Sequence, residues 1–369
     1  MMLSVLCALF VAGSLATVHS YTVTIDNHYA SSNCTEFTAS ITASAMNVAG
    51  VSLTSAGSGY LQIGPASFNI FFRFCTPALW TSRERTIQIL GHGATYTHSY
   101  WSIGYKPEAY SYERAALAAG YPVLSYDLLG SGNSEQPSPT DVVQIPLNIQ
   151  IAIAIVKHIR GGTLPGLNRS LGAFDKVIYV GHSMGSLVLN GVMASEPEPN
   201  EGNGQGLVDF AVLTGYAHLP IHTPTIAGGD IQIARDTLPA RFAGLDEGYT
   251  VISNRSLFYG REGSYEQALL ELDVATQDVV SVGDAFTLAV GVVDALNFRG
   301  HVLAINGEYD TGNCEGDRCS SLFEEITNYP VAASFEAYVI PNTGHSLNMH
   351  LSSVETYALI FDWLDRQGH

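Results

Sequence analysis

Four stretches of the chain are short, continuous and apolar: "RTIQILGHG" (85–93), "YPVLSYDLLG" (121–130), "DKVIYVGHS" (175–183) and "DFAVLTGY" (209–216). Runs of this length without polar alternation mark strands buried on both faces, as in a parallel sheet. Helix-length segments separate them. "EAYSYERAALAAG" ends at Gly120, a residue suited to the position just past a helix. "TDVVQIPLNIQIAIAIVKHIRGG" opens on the capping residue Thr140 and closes on basic residues, which predicts a helix along it. Strand alternating with helix predicts parallel strands joined by crossover helices. Ahead of this region, Tyr21 to Cys75 is rich in Thr, Ser and Val with Gly-marked turns, the pattern of antiparallel strands.

The alternation stops near Tyr216. Residues 217–298 are mixed in character and become helix-like across "SYEQALLELD". Strand character returns in "HVLAINGEYD" (301–310) and "SFEAYVIPNTGH" (334–345), and an amphipathic stretch, "SSVETYALIFDWLDR", closes the chain. The expected class is therefore α/β: a mostly parallel central sheet flanked by helices, with N-terminal antiparallel strands and one insertion. The core is expected over 21–216 and 299–369. The insertion, 217–298, is expected as a cap over the C-terminal ends of the strands, where α/β proteins bind ligands.

Composition narrows the function. With 46% hydrophobic and 14% charged residues, the chain has the make-up of a compact globular protein and not of a disordered one. Its formal charge of −18, with no run of Lys or Arg, argues against nucleic acid and anionic membrane surfaces as partners. The first 20 residues, "MMLSVLCALFVAGSLATVHS", contain no Lys, Arg, Asp or Glu. Their apolar core, Leu3 to about Leu15, is short for a bilayer span. Val18 and Ser20 suit the −3 and −1 positions of a cleavage site, so residues 1–20 read as a secretory signal peptide; a retained anchor or a buried strand is the competing reading. No other segment reads as transmembrane, since Gly291 and Asp294 interrupt the apolar stretch 288–296.

Without Cys7, four cysteines remain, an even number suited to an oxidising compartment. Of three possible pairings, sequence proximity favours Cys34–Cys75 and Cys314–Cys319. No C-x-x-C pair suggests a metal site, and no metal or cofactor is expected. Asn33, Asn168 and Asn254 head N-x-[ST] sequons and are glycan acceptor candidates in an exported chain.

One motif carries chemistry. In "VIYVGHSMGSLVLNG" (177–191), Ser183 sits between Gly181 and Gly185, where a strand is expected to turn into a helix. A serine hydroxyl becomes nucleophilic only when a base takes its proton and a carboxylate orients that base. The chain offers both on loops after later strands: Asp310 after "HVLAINGEY" and His345 after "AYVIPNTG". The competing readings are a helix N-cap for Ser183, a surface turn for Asp310, and His350 in place of His345. His350, His98 and His218 are assigned to the structural or exposed histidines.

At these residues the chain resembles a capped α/β-hydrolase. "LGHGAT", "YDLLGSGNS", "GHSMG", "NGEYD" and "NTGHS" occur in that family's order from about residue 85 onward. The resemblance implies Ser183 as nucleophile, His345 as general base and then acid, and Asp310 as its orienter. It implies an oxyanion hole from the backbone N–H of Met184 and of Ala94, the residue after His92 and Gly93. It also implies that Asp127 stabilises a turn near the elbow, the sharp strand-to-helix turn that carries Ser183. A serine at this position excludes the alkyl-enzyme chemistry of relatives with aspartate there, and leaves acyl transfer. The expected substrate is a small-to-medium apolar ester or lactone, with long triglycerides second. An acyltransferase using the same residues, or a non-catalytic binding protein on this fold, is the alternative. Phe242, Tyr249, Phe258, Tyr259, Tyr265 and Phe286 are candidates to line an apolar pocket, against the reading that they are simply core. The 314–319 bridge, directly after Asp310, is expected to steady the acid-bearing loop.

Overall fold

The apolar runs lie side by side in one eight-stranded sheet of a computed structural model that describes residues 33–79, 83, 85–197, 206–218, 231–314 and 319–369. Its strands are β1 (Asn33–Val48), β2 (Tyr60–Thr76), β3 (Thr86–Gly91), β4 (Val123–Tyr126), β5 (Lys176–His182), β6 (Phe210–Thr214), β7 (His301–Gly307) and β8 (Ser334–Ile340). They are ordered β1-β2-β4-β3-β5-β6-β7-β8. β2 runs antiparallel to both β1 and β4, and every pairing from β4 to β8 is parallel. The expected signal peptide, residues 1–20, and the segment to Ser32 lie outside the described residues. No helix among the described residues is long and apolar enough to cross a membrane.

The central runs are continuous because both faces of the sheet are covered. In β5, Val177 and Tyr179 belong to one hydrophobic layer, while Ile178 and Val180 belong to the other. The first layer packs under α2 (Ile145–Gly161) and α3 (Met184–Ala194). The second packs under α1 (Tyr112–Ala118) and α6 (Ser353–Arg366). β1 differs: Ala39, Ile41, Ala43 and Ala45 are buried while Thr38, Ser40, Thr42 and Ser44 between them are exposed, so its alternation reports one covered face. The Cys34–Cys75 disulfide joins β1 to β2 at paired positions of the ladder, and Cys314–Cys319 closes the second pair.

Two helix boundaries depart from the sequence reading. The helix expected from Thr140 begins at Ile145. Pro146 has no N–H to give and would break a helix entered earlier, but it fits a first turn, where that N–H has no partner. Residues 140–144 instead tie to β1: the Gln144 side chain accepts from Val48 N–H at 2.8 Å and donates to Val48 O at 2.9 Å. The "EAYSYERAALAAG" segment is divided by Ser111, whose hydroxyl caps α1 by accepting from Arg114 N–H at 3.1 Å. Gly120 follows at φ +88°, as expected.

Within 217–298 the described residues form a small sheet of Ile231–Ile233, Tyr249–Ile252 and Val280–Ser281, with helices α4 (Gln267–Thr276) and α5 (Val282–Thr287). Asp284 of α5 is buried against α2, accepting from Asn148 Nδ2 at 3.0 Å and lying 3.0 Å from Ser281 Oγ. The Ser281 hydroxyl is also within 2.8 Å of Val143 O, so its one proton is contested. Burial pushes the Asp284 carboxyl up to about 7. In the folded chain it therefore holds a proton that the unfolded chain has released above about pH 4. The sign follows: stability falls as pH rises from about 4 to about 7 and is flat on either side of that window at this group. Asp284→Asn should remove this contribution, so that in urea unfolding the variant gains stability relative to wild type as pH rises across the same range. Asp278, pushed up to about 6 by burial, acts with the same sign, and His350, pushed down to about 4 by burial, with the opposite one, so the difference between variant and wild type is what reports on Asp284. An unchanged slope would contradict the assignment to Asp284.

Candidate active site

Ser183 is the single residue between the end of β5 and the start of α3, at φ +53° and ψ −118°. A non-glycine residue held there stores about 1–3 kcal/mol of strain unless its surroundings fix it. They do: its N–H donates to Thr214 O at 2.8 Å, and its own carbonyl accepts from Ser186 and Leu187 of the helix. The flanking glycines let the helix come this close. A Cβ on Gly181 would lie 2.7 Å from Gly185 O, and one on Gly185 would lie 2.2 Å from Gly91 O. Both distances are impossible, so the first turn of α3 can press onto β5 and β3 only with glycine at both points. The Ser183 side chain makes no capping bond to its helix, although it occupies the N-cap position.

Asp310 and His345 meet across two loops: His345 Nδ1 lies 2.8 Å from Asp310 Oδ2. Asp310 is 1% exposed and accepts three further bonds, from Gly312 N–H at 3.2 Å, Asn313 N–H at 3.3 Å and Asn313 Nδ2 at 3.1 Å. A carboxylate so oriented places the ring proton on Nδ1 and leaves Nε2 as the basic nitrogen. Ser183 and His345 line one cavity, with no direct hydrogen bond between them; such bonds commonly tighten only when substrate is bound. His350 is different in kind. Its Nε2 accepts from Gly260 N–H at 2.9 Å and Gly344 N–H at 3.0 Å, and its Nδ1 donates to Ser346 O at 2.9 Å. Burial pushes it down to about 4, so it stays neutral and pins the loop that carries His345.

The loop after β3 packs against the elbow. A Cβ on Gly93 would lie 3.0 Å from Ser183 Cβ. His92, fully buried, donates from Nδ1 to Gly93 O at 2.8 Å and accepts Leu128 N–H on Nε2 at 3.0 Å. Burial holds its pKa below the ordinary value, so the ring is neutral and can do both. Because a trans peptide points its C=O and N–H in opposite directions, fixing Gly93 O toward His92 turns the Ala94 N–H away from it. Ala94 and Met184 both line the cavity beside Ser183. Asp127 lies away from the cavity wall. It accepts from His98 N–H at 2.7 Å, His98 Nδ1 at 2.8 Å and Asn133 N–H at 2.9 Å, which ties down the turn after β4. Burial alone would raise its pKa, but the hydrogen bond and charge of His98 outweigh it and hold it below the ordinary value.

The cavity has a volume of about 580 Å³. Of the six aromatic candidates, Phe258 and Phe286 line it; Phe242, Tyr249 and Tyr259 are buried in the hydrophobic core, and Tyr265 packs against it. His218, grouped with the structural histidines from sequence, stands on the cavity wall, with Nε2 3.0 Å from Asp294 Oδ1 and Nδ1 3.1 Å from the Tyr216 hydroxyl. Its place directly after a core strand was the one available signal. The sequons at Asn33, Asn168 and Asn254 are all exposed. Among the described residues, the one cluster with metal-ligand spacing is Cys34, Cys75 and Glu113, and both of its sulfurs are committed to a disulfide.

The close approach at Gly185 is directly testable. Gly185→Ala should lower stability by about 1–3 kcal/mol, the usual cost of forcing a methyl into packed structure, read as a drop in Tm. Unaltered Tm and structure would mean that α3 can move off β3 without penalty.

Residues 88–358 match the model of the alpha/beta hydrolase family. Among solved structures, the chain is similar to a thermophilic esterase from Thermogutta terrifontis, with 15% identity, a TM-score of 0.57, and 89% of this chain and 98% of that one covered. It is similar to a soluble variant of the monoglyceride lipase from Saccharomyces cerevisiae, with 14% identity, a TM-score of 0.56, and coverage of 81% and 92%. A Paleococcus ferrophilus monoacylglycerol lipase matches with 15% identity, a TM-score of 0.53, and coverage of 80% and 98%. At such identities these likenesses are of fold. No curated protein matches the chain in sequence. The family match spans most of the chain and takes in β4 to β8, the elbow and both loops that carry Asp310 and His345, so the chain belongs to the alpha/beta hydrolase family.

Proposed function

We propose that the protein is a secreted serine hydrolase that cleaves carboxylic esters or lactones through an acyl-enzyme on Ser183. The observation that carries this reading is the Asp310–His345 pair sharing one apolar cavity with a serine held on a strained, glycine-flanked elbow. His345 Nε2 takes the proton of the Ser183 hydroxyl as Oγ attacks the substrate carbonyl carbon. The carbonyl electrons move onto oxygen, where the N–H groups of Met184 and Ala94 receive the charge. The tetrahedral species collapses and His345 returns the proton to the leaving alkoxide; the alcohol of an ester departs, whereas that of a lactone stays tethered as the hydroxyl of the acyl group. Water then repeats the sequence on the acyl-enzyme and releases the acid. Asp310 keeps the His345 ring oriented and stabilises its protonated form.

The substrate class rests on the cavity. Leu187, Ile252, Leu257, Phe258, Val280 and Leu288 supply much of its wall, which favours an apolar acyl or alcohol group of modest size. The esterase and monoacylglycerol lipase activities named for the structural relatives agree with ester chemistry. Residues 217–298 act as the cap: Ile252, Phe258, Val280 and Phe286 of this insertion form part of the cavity wall. Export is supported by the apolar leader at 1–20 and by two disulfides, which persist in oxidising compartments.

A fluorophosphonate probe should label Ser183 alone, and labelling should vanish in Ser183→Ala and His345→Ala. Absence of labelling on folded protein, with an open cavity verified by a small ester analogue, would overturn the hydrolase reading in favour of ligand binding. With a competing alcohol present, free acid as the main product supports hydrolysis, whereas a new ester identifies an acyltransferase. Asp310→Asn should lower kcat by roughly 10³–10⁴-fold while leaving KM little changed, because the loss is one of transition-state stabilisation. The Cys314–Cys319 bridge closes a short loop whose Cys314 N–H donates to Asp310 O at 2.6 Å. Replacing both cysteines with serine should lower stability by about 2 kcal/mol and reduce kcat; unchanged values for both would show that the bridge does not steady the acid loop.

A further inference from the structure

The insertion sends one charged pair into the interior. The Arg255 side chain is 0% exposed and that of Asp273, on α4, is 1% exposed. Asp273 Oδ1 accepts from Arg255 Nη2 at 2.6 Å and Nε at 3.1 Å, while its Oδ2 accepts from the hydroxyls of Tyr259 at 3.2 Å and Tyr96 at 3.3 Å. The guanidinium stacks 4.6 Å from the Tyr96 ring centre and 4.7 Å from that of Phe258. Two threads leave this cluster, and each ends beside a residue assigned above to the reaction.

The first runs to the oxyanion loop. Arg255 Nη1 donates to Thr95 Oγ1, and the Thr95 hydroxyl donates in turn to Ala94 O at 2.6 Å. Thr95 is fully buried at φ +61°, a conformation that a β-branched residue adopts only under constraint. Its carbonyl is held as well, accepting from Asp278 N–H of the insertion at 2.8 Å. The peptide that carries the Ala94 N–H is thus fixed from the core by His92, and the next peptide, across the Ala94 Cα, is fixed from the insertion by Arg255 through Thr95. The second thread runs to the base: the Tyr96 hydroxyl shares a 2.7 Å hydrogen bond with Ser346 Oγ, next to His345, and Phe258 O accepts from Ser346 N–H at 2.9 Å.

A buried ion pair is a poor means of simply fastening an insertion down. Desolvating each ion costs several kcal/mol, and apolar side chains of similar size often hold as well or better. What an arginine fork supplies that apolar contact cannot is direction, because its donors sit in one rigid plane. Here one edge is taken by Asp273 and the remaining nitrogen is aimed at Thr95. We propose that Arg255 and Asp273 are positioning residues that hold the Ala94 oxyanion donor in register with Ser183, so that the insertion is a working part of the catalytic centre as well as a wall of the cavity. This inference rests on the reading of Ser183 as nucleophile.

The test compares Thr95→Gly, Thr95→Ser and Arg255→Lys in the full chain, using a short-chain p-nitrophenyl ester and a trifluoromethyl ketone that forms a tetrahedral adduct. Thr95→Gly relieves the strained φ and leaves the Arg255–Asp273 pair intact, though Arg255 Nη1 loses its acceptor, so it tests the thread without breaking the ion pair. Thr95→Ser keeps the hydroxyl. Lysine keeps the charge but replaces the rigid planar fork with a single nitrogen, so the fixed direction from Asp273 to Thr95 is lost. Active sites are counted by fluorophosphonate titration, so that kcat refers to folded enzyme only. Thr95→Gly and Arg255→Lys should lose roughly 10–100-fold in kcat, the scale of a small misplacement of a reacting group, with KM nearly constant. Ketone affinity should fall by the same factor, and Thr95→Ser should behave as wild type. Full kcat in titratable Thr95→Gly would overturn the proposal, as would a fall in kcat with undiminished ketone affinity. If wild type itself is not labelled by the fluorophosphonate, the hydrolase reading fails first. If wild type labels and the variants keep full activity, this inference alone fails.

Discussion

The close contact between α3 and the edge it rises from sets the geometry of everything around Ser183. An added methyl at Gly185 would sit 2.2 Å from the Gly91 carbonyl, and one at Gly181 would sit 2.7 Å from the backbone of the same helix. With no side chains between them, helix and strands approach until the only path from one to the other is a single residue at positive φ. That residue is Ser183, and its strain is offset by a backbone bond to Thr214 and by the first turn of the helix. Rigid placement of Ser183 is therefore a consequence of backbone packing and needs no help from the serine side chain, which makes no capping bond and lines the cavity.

Around this point the chain uses buried neutral histidines as struts. His92 bridges Gly93 O and Leu128 N–H, and His350 bridges Gly260 N–H, Gly344 N–H and Ser346 O. An imidazole is suited to this because its neutral form donates on one side and accepts on the other. Burial lowers the pKa of both rings and so preserves the neutral form that the bonding requires. Each strut fixes a loop at the C-terminal end of a strand. The ion pair of Arg255 and Asp273 extends the same logic to the insertion, at the higher desolvation cost that charge imposes.

These supports explain how loops, normally the least constrained parts of a fold, hold Ala94, Asp310 and His345 in fixed relation. Asp310 has four hydrogen-bond donors about it, counting His345. The Ala94 loop is gripped on both sides, and the His345 loop is pinned by His350. The open side of the site is the cavity that the insertion helps to wall.

Much of this was legible in the chain itself. The strands of the central sheet were visible because burial on both faces leaves a local mark, a short run of apolar residues. The order Ser183, Asp310, His345 was visible because each follows such a run, and the disulfides because their partners pair across a hairpin or close a short loop. The start of α2 was misread because Thr140 looks like a cap until Gln144 is seen bound to β1 and Pro146 is given a place in the first turn. Which aromatic residues face the cavity, that His218 stands on its wall, and that Arg255 reaches Thr95 were decided by tertiary structure alone. Arg255 and Thr95 are 160 residues apart. Periodicity and motif record what a residue's near neighbours in sequence demand of it, whereas a contact between distant segments leaves no pattern in either one, and only the folded chain brings the two together.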